Sequence, residues 1–242
     1  MKKVIRKGVF ESASSSMHSI CITKNDTHIT PEELAYHRDS NQDNDETIYL
    51  WKGKSWGLHN LDGFGRGPFK FLYTFEDKFR YCLCEYCGYY QFPREDFTEK
   101  YNMLFDIAKE VLPTLEELDI NTNDIDIYLD KDGNELKYSQ VEYSHYDKET
   151  NTSYYVYKDE NGEEHVAIVD EEHYNEMPAI GPNDHQSMNL VQIFLKAKGI
   201  DLKEFLTNKK YVVVINNDEE QLFQRYIRSG LIDMNFIIEI FT

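Results

Sequence analysis

Asp124-Ile125-Asp126-Ile127-Tyr128-Leu129-Asp130-Lys131-Asp132-Gly133 is the stretch on which the fold turns. Ile125, Ile127 and Leu129 alternate with Asp124, Asp126 and Tyr128. A period of two belongs to a β-strand with one apolar and one solvated face. Asp132-Gly133 then signals a hairpin, because glycine supplies the positive φ that a tight turn demands. Asn161-Gly162 repeats the signal, and Lys148–Thr152 makes a third connection. Residues 120–172 therefore read as an antiparallel β-meander with an apolar face and an acidic, tyrosine-rich face.

Helical periods lie upstream of it. Phe97, Tyr101, Leu104, Phe105, Ala108 and Leu112 share one stripe, which predicts a helix over Arg94–Leu112 stopped by Pro113. Thr74-x-x-Asp77 is a capping box, with Asp in place of the usual Glu, opening a helix that runs to about Gly88. Before it stands the densest cluster of chain breakers, Asp62-Gly63-Phe64-Gly65-Arg66-Gly67-Pro68. Nearer the start, Lys3–Phe10 and Met17–Thr23 read as strands around a polar loop, Thr30-Pro31 as a helix start, and Thr47–Lys52 as a short strand. Downstream, Met177–Asp184 is a loop and Gln186–Lys198 and Leu202–Leu206 are helices. A buried strand at Tyr211–Ile215, a helix at Glu219–Ser229 and a strand at Phe236–Phe241 give a βαβ ending. The expected class is α+β: a mixed-sheet core of residues 1–119 and 173–242 with several helices, and an inserted acidic meander at 120–172.

Charge narrows the function. The 242 residues carry 26 Lys and Arg against 44 Asp and Glu, a net of −18. Between Glu116 and Glu176 there are 19 acidic side chains and 4 lysines, so this segment holds most of the imbalance. Such a surface repels phosphate backbones and anionic membranes, which argues against direct nucleic-acid binding and against membrane association. It admits basic partners, cations or mimicry of nucleic acid. With 40% hydrophobic residues the chain can bury a proper core.

Cys82, Cys84 and Cys87 crowd one segment and leave only Cys21 elsewhere, too few and too close for a disulfide framework. They form half a zinc pattern at most and read as buried core thiols, with Cys84 off the shared apolar face. Asp130-Lys131-Asp132-Gly133 opens like a calcium loop, yet the first and twelfth ligand positions would be Tyr128 and Ser139, so no metal is expected there. No cofactor is expected either. With no apolar leader or spanning run, the cytoplasm is the expected compartment.

The opening Arg6-Lys-Gly-Val-Phe10-Glu11-Ser12-Ala13-Ser14-Ser15-Ser16-Met17-His18-Ser19 is distinctive. It resembles a family of uncharacterised bacteriophage and mobile-element proteins that begin Arg-x-Gly-x-Phe-Glu-Thr-Asn-Ser-Ser-Ser-x-His-Ser. Ser12 and Ala13 depart from that pattern. Gly65-Arg66-Gly67 and Asp184-His185-Gln186-Ser187 look like further patches of the same family, and Gly230-Leu231-Ile232 is a looser echo. The resemblance implies a bacterial host cell and no particular reaction.

Three polar patches carry candidate chemistry. Ser14, Ser15 and Ser16 offer backbone N–H groups and hydroxyls that can cradle a phosphate, with Arg6 as a clamp and His18 as a base that activates Ser15. Asp184 caps a helix whose first turn presents His185, a place that favours anions. Gly65 and Gly67 let the backbone approach a ligand, with Arg66 as the charged finger. Each has a plainer alternative: a serine-rich turn, an N-cap and a tight loop. Whether the protein is an enzyme stays open.

Two functions are compatible with these features. One is an accessory protein with a catalytic or ligand site for a phosphate-bearing small molecule such as a nucleotide, built from His18, Ser15, Asp184 and His185 with Arg6, Ser14, Ser16, Gly65, Arg66 and Gly67. The other is an acidic anti-defence protein that binds and inhibits a basic surface of a host protein.

Overall fold

The structure is a computed structural model that describes residues 17–23, 50–51, 53–59, 61, 63–64, 70–183, 189–216 and 232–239. Its class is α+β. The chain divides into two compact units, one of residues 1–44, 65–78 and 184–242, the other of residues 45–64 and 79–183. The acidic meander lies wholly within the second unit, which also takes in the segment from 79 to 119.

The first unit is built on a four-stranded sheet. Its strands are β1 (Met17–Thr23), β4 (Lys70–Leu72), β11 (Tyr211–Asn216) and β12 (Ile232–Glu239), in the order β12-β1-β11-β4. Every pairing is antiparallel, with Ile20 opposite both Val213 and Ile238. The βαβ reading of the C-terminal end is therefore modified: β11 and β12 run the same way, but β1 lies between them and supplies the hydrogen bonds to both.

Helix α3 (Leu190–Lys198) packs on this sheet, and α4 (Leu202–Thr207) follows after Gly199, which takes the left-handed conformation at φ 69°. Asp201 caps α4 by accepting from the Glu204 N–H at 2.7 Å. Phe194, Phe205 and Tyr211 stack into the core beside Ile20, Cys21 and Val212–Ile215.

One unexpected member of that core is Lys78, which is fully buried. Its ammonium donates to the carbonyls of Phe205 at 2.6 Å and Asn208 at 2.8 Å, and lies 5.2 Å from the Phe205 ring centre. These carbonyls end α4, where a cation is favoured by the helix dipole.

The second unit contains helices α1 from Phe79 onward (α1 spans Phe75–Cys87) and α2 (Phe97–Val111). The capping box is present: the Thr74 hydroxyl accepts from the Asp77 N–H at 3.1 Å and donates to its carboxylate at 2.8 Å. The expected single apolar face of α1 is not. Tyr81 to Cys87 are all buried, Cys84 included, so the C-terminal half of this helix is enclosed on every side. Burial pushes the Cys21 and Cys87 thiols up to about 12, which makes them inert core groups.

Two short strands, β2 (Leu50–Trp51) and β3 (Ser55–Gly57), form a sheet with β5 (Glu117–Asp119), β3 and β5 running parallel. Trp56 lies against Phe79 with ring centres 4.9 Å apart. Gly63 and Gly88 both abut the Gly181-Pro182 segment, where a Cβ on Gly63 would stand 2.0 Å from the Pro182 carbonyl oxygen. At Gly63 the close approach is thus made to the protein's own backbone. Asn183 secures the segment, its amide donating to the Tyr81 carbonyl and accepting from the Phe64 N–H.

Candidate functional site: an acidic β-arm with exposed tyrosines

The arm begins as a long antiparallel pair, β6 (Thr122–Leu129) with β10 (Ile168–Pro178). Between them in sequence lies a three-stranded antiparallel sheet, β7 (Glu142–Asp147), β8 (Thr152–Lys158) and β9 (Glu164–Val166). The turns fall where the sequence places them: Gly133 and Gly162 have φ of 84° and 79°, and Asn151 takes the third left-handed position at 56°.

One face of the three-stranded sheet is anchored. Tyr155 and Tyr157 point the same way, two residues apart, into a cluster with Tyr128, Leu136, Val141 and Ala167. Phe92 reaches into it, stacked on Tyr138 at 5.2 Å and edge-on to Tyr128 at 5.5 Å. The Tyr157 hydroxyl also accepts from the Lys131 N–H at 3.0 Å. Tyr128 is buried here and not solvated as its alternation with the isoleucines suggests. The folded-over hairpins cover the end of β6, so both of its faces are occupied there.

The opposite face is open. Glu142, Val156 and Val166 line up across the three strands, with Lys158 beside Glu164 in the next row. His145 stacks on Tyr154 with ring centres 4.9 Å apart. Val166 is 57% exposed, and around the same arm Tyr143, Tyr146, Ile168 and Tyr174 are between 45% and 60% exposed. From Glu142 to Val166 there are seven carboxylates against two lysines. Large apolar groups left in water on a charged background mark an interaction surface more often than a bare charge run does.

The acidic turns share one local device. Asp130 accepts from the N–H groups of Asp132 and Asn134, Asp147 from Glu149, Asp159 from Asn161 and Glu163, and Asp170 from Glu172 and His173. The Asp170 turn occupies the bulge between Val169 and Tyr174, where the β6–β10 register shifts. These bonds stabilise the ionised form and hold each carboxyl below its ordinary value of 3.8. The foremost cause is the Asn134 amide for Asp130, the Thr150 hydroxyl for Asp147, the Glu163 N–H for Asp159 and the Glu172 N–H for Asp170. The turns thus stay ionised to lower pH than an ordinary aspartate would. At Asp130 and Asp159 the sequence signals the turn by a Gly three residues later, whereas Asp147 and Asp170 carry no such signal.

A polar cleft of about 980 Å³ lies in the same unit and was not anticipated from the sequence. Tyr89, Tyr90, Asp119, Asn121, Thr122 and Glu176 are among the residues that line it. Thr122 donates to Glu176 at 2.7 Å, and His59 Nδ1 lies 3.2 Å from Asn121 Oδ1. Its lining holds two carboxylates and neither lysine nor arginine, so it does not suit a phosphate. The Asn121-Thr122-Asn123 triplet opening a strand is the only trace of it in the sequence.

Of the residues expected to form the phosphate site, His18 alone is among the described ones. It sits in β1 opposite Ile215 and is 1% exposed. Arg6, Ser14, Ser15, Ser16, Gly65, Arg66, Gly67, Asp184 and His185 lie outside the described residues, as do the expected elements Lys3–Phe10 and Glu219–Ser229. Among the described residues, no helix is long and apolar enough to cross a membrane. No protein-family model, curated protein or solved structure matches the chain.

Proposed function

We propose that this is an interaction protein whose acidic β-arm docks on a basic surface of another protein. The observation that carries this reading is the open face of β7–β8–β9, where exposed Val166 and a His145–Tyr154 stack lie with Glu142 and Glu164 in a segment of seven carboxylates against two lysines. Charge of this density steers association with a basic partner and makes it sensitive to salt, while the apolar and aromatic groups supply the desolvated contact. The surfaces that match such an arm are those that otherwise bind nucleic acid, so the arm would inhibit by occupying that surface. The resemblance of the opening residues to phage proteins makes a bacterial defence factor the partner class to test. The alternative, a phosphate-bearing ligand held by the opening serine loop, rests on residues of which all but His18 lie outside the described set.

The test is affinity capture from bacterial extract, at low and high salt, with the native chain and with Glu142→Lys/Glu164→Lys. Two charge reversals on α2, Glu99→Lys and Glu110→Lys, serve as the matched control. The expected result is a basic protein retained by the native chain and the α2 control, released by salt, and lost at least tenfold with the arm variant. Identical capture by the arm variant and the native chain would overturn the reading.

A further inference from the structure

The tip of the β8–β9 hairpin holds a cluster of a different kind. Asp159, Glu163 and His165 each offer one ligand atom, and these atoms lie within 4.8 Å of one another. Their convergence follows from the register. Lys158 is opposite Glu164, so the next pair outward is Asp159 with Glu163, joined by the Asp159 N–H donating to the Glu163 carbonyl at 3.0 Å. His165 follows Glu163 by two residues and so shares its face, opposite Tyr157, whose ring centre is 5.5 Å away.

Two carboxylates directly opposed across a hairpin repel one another. Among the described residues no lysine or arginine forms an ion pair with either, and the imidazole of His165 is the one basic group in contact, with Nε2 at 3.2 Å from Asp159 Oδ2. Lys158 is on the other face, paired with Glu164. The site is also built to hold its shape. Asp159 keeps its second oxygen on the N–H groups of Asn161 and Glu163 at 2.9 Å, so Oδ2 is aimed at His165. The Asp159 and His165 side chains are only 17% and 25% exposed.

We propose that Asp159, Glu163 and His165 form a binding site for a first-row divalent metal ion, with zinc as the best-suited probe. Zinc takes imidazole nitrogen and carboxylate oxygen at about 2.0–2.2 Å, which sets tetrahedral ligands about 3.3–3.6 Å apart. The Nε2–Oδ2 separation of 3.2 Å is just short of that range, so the two groups need open only slightly to admit the ion. Glu163 is exposed and closes the third position by side-chain rotation, leaving the fourth to water. Metal ions and protons compete for the same ligand lone pairs, so binding weakens as pH falls. The ion would neutralise the repulsion at the tip and tie β8 to β9. This inference concerns the hairpin alone and holds whether or not the arm docks on a basic partner.

Isothermal titration of the full chain with zinc, together with its melting temperature with and without zinc, tests the site. The expected result is one ion per chain bound tighter than about 100 μM, with a rise in melting temperature. Affinity should fall at least tenfold in each of Asp159→Asn, Glu163→Gln and His165→Ala, and stay unchanged in His173→Ala. Asp159→Asn retains an oxygen acceptor for the turn, so circular dichroism matching the native chain separates loss of a ligand from loss of the hairpin. No binding at that affinity, binding that survives His165→Ala, or binding lost equally in His173→Ala would each overturn the proposal.

Discussion

Lys78 shows how much a single side chain can carry without announcing itself. In Phe75-Glu-Asp-Lys-Phe79 it has the setting of an ordinary helix-surface lysine, and nothing in its spacing tells otherwise. Its role comes from residues more than a hundred positions away, the two carbonyls that end α4. Replacement by methionine keeps most of the volume and removes both charged hydrogen bonds, so Lys78→Met should cost about 2–3 kcal/mol. Urea denaturation of the variant, read by its midpoint, checks this; an unchanged midpoint would show that the carbonyls are satisfied without the ammonium. The cysteines were the opposite case. Their apolar neighbours in the sequence already pointed to burial, and only Cys84 was misplaced, because the enclosed half of its helix has no outer face on which to put it.

At the scale of elements, what could be read was what depends on near neighbours. The capping box at Thr74, the strand Met17–Thr23 and the three arm turns depend on residues within a few positions of each other, and each stands where local chemistry puts it. What could not be read was packing between distant segments. Tyr128 alternates out of its strand's apolar row, yet Phe92, from the loop after α1, makes an aromatic lid over it. Phe92→Ala should therefore loosen the arm more than the rest of the molecule. We expect a loss of about 2–3 kcal/mol for this half-buried ring, with amide hydrogen exchange rising in β6, β7 and β8 and unchanged in β1 and β11. Uniform acceleration across the chain would place Phe92 in a general core and not in an anchor for the arm. The candidate site divides the same way: the acidic meander was visible as composition, whereas the open face opposite its anchored one needed the register.

For the whole molecule, the ionisable groups define a pH window. Asp130, Asp147, Asp159 and Asp170 have folded-state pKa values depressed below 3.8. Each contributes stability that is present above the unfolded value and lost as pH falls through the folded one. Cys21 and Cys87 run the other way. Their thiols rise from 9.0 to about 12, so their contribution is complete below 9.0 and lost as pH climbs towards 12. Stability should be level between roughly pH 5 and pH 9, declining on either side. Denaturation midpoints taken across that range check it. A maximum near the isoelectric point of 4.8 would show instead that overall repulsion governs stability.

The place of β1 in its sheet bears on how the chain reaches this state at all. Ile20 finds its partner Val213 about 190 residues later, a contact of very high sequence separation, and loops of that length close slowly. During synthesis the arm and its helices emerge complete while β1 still has neither of the strands that flank it. The nascent protein is thus a finished acidic arm attached to an unfinished sheet, and the last strands made are the ones that release the first from waiting.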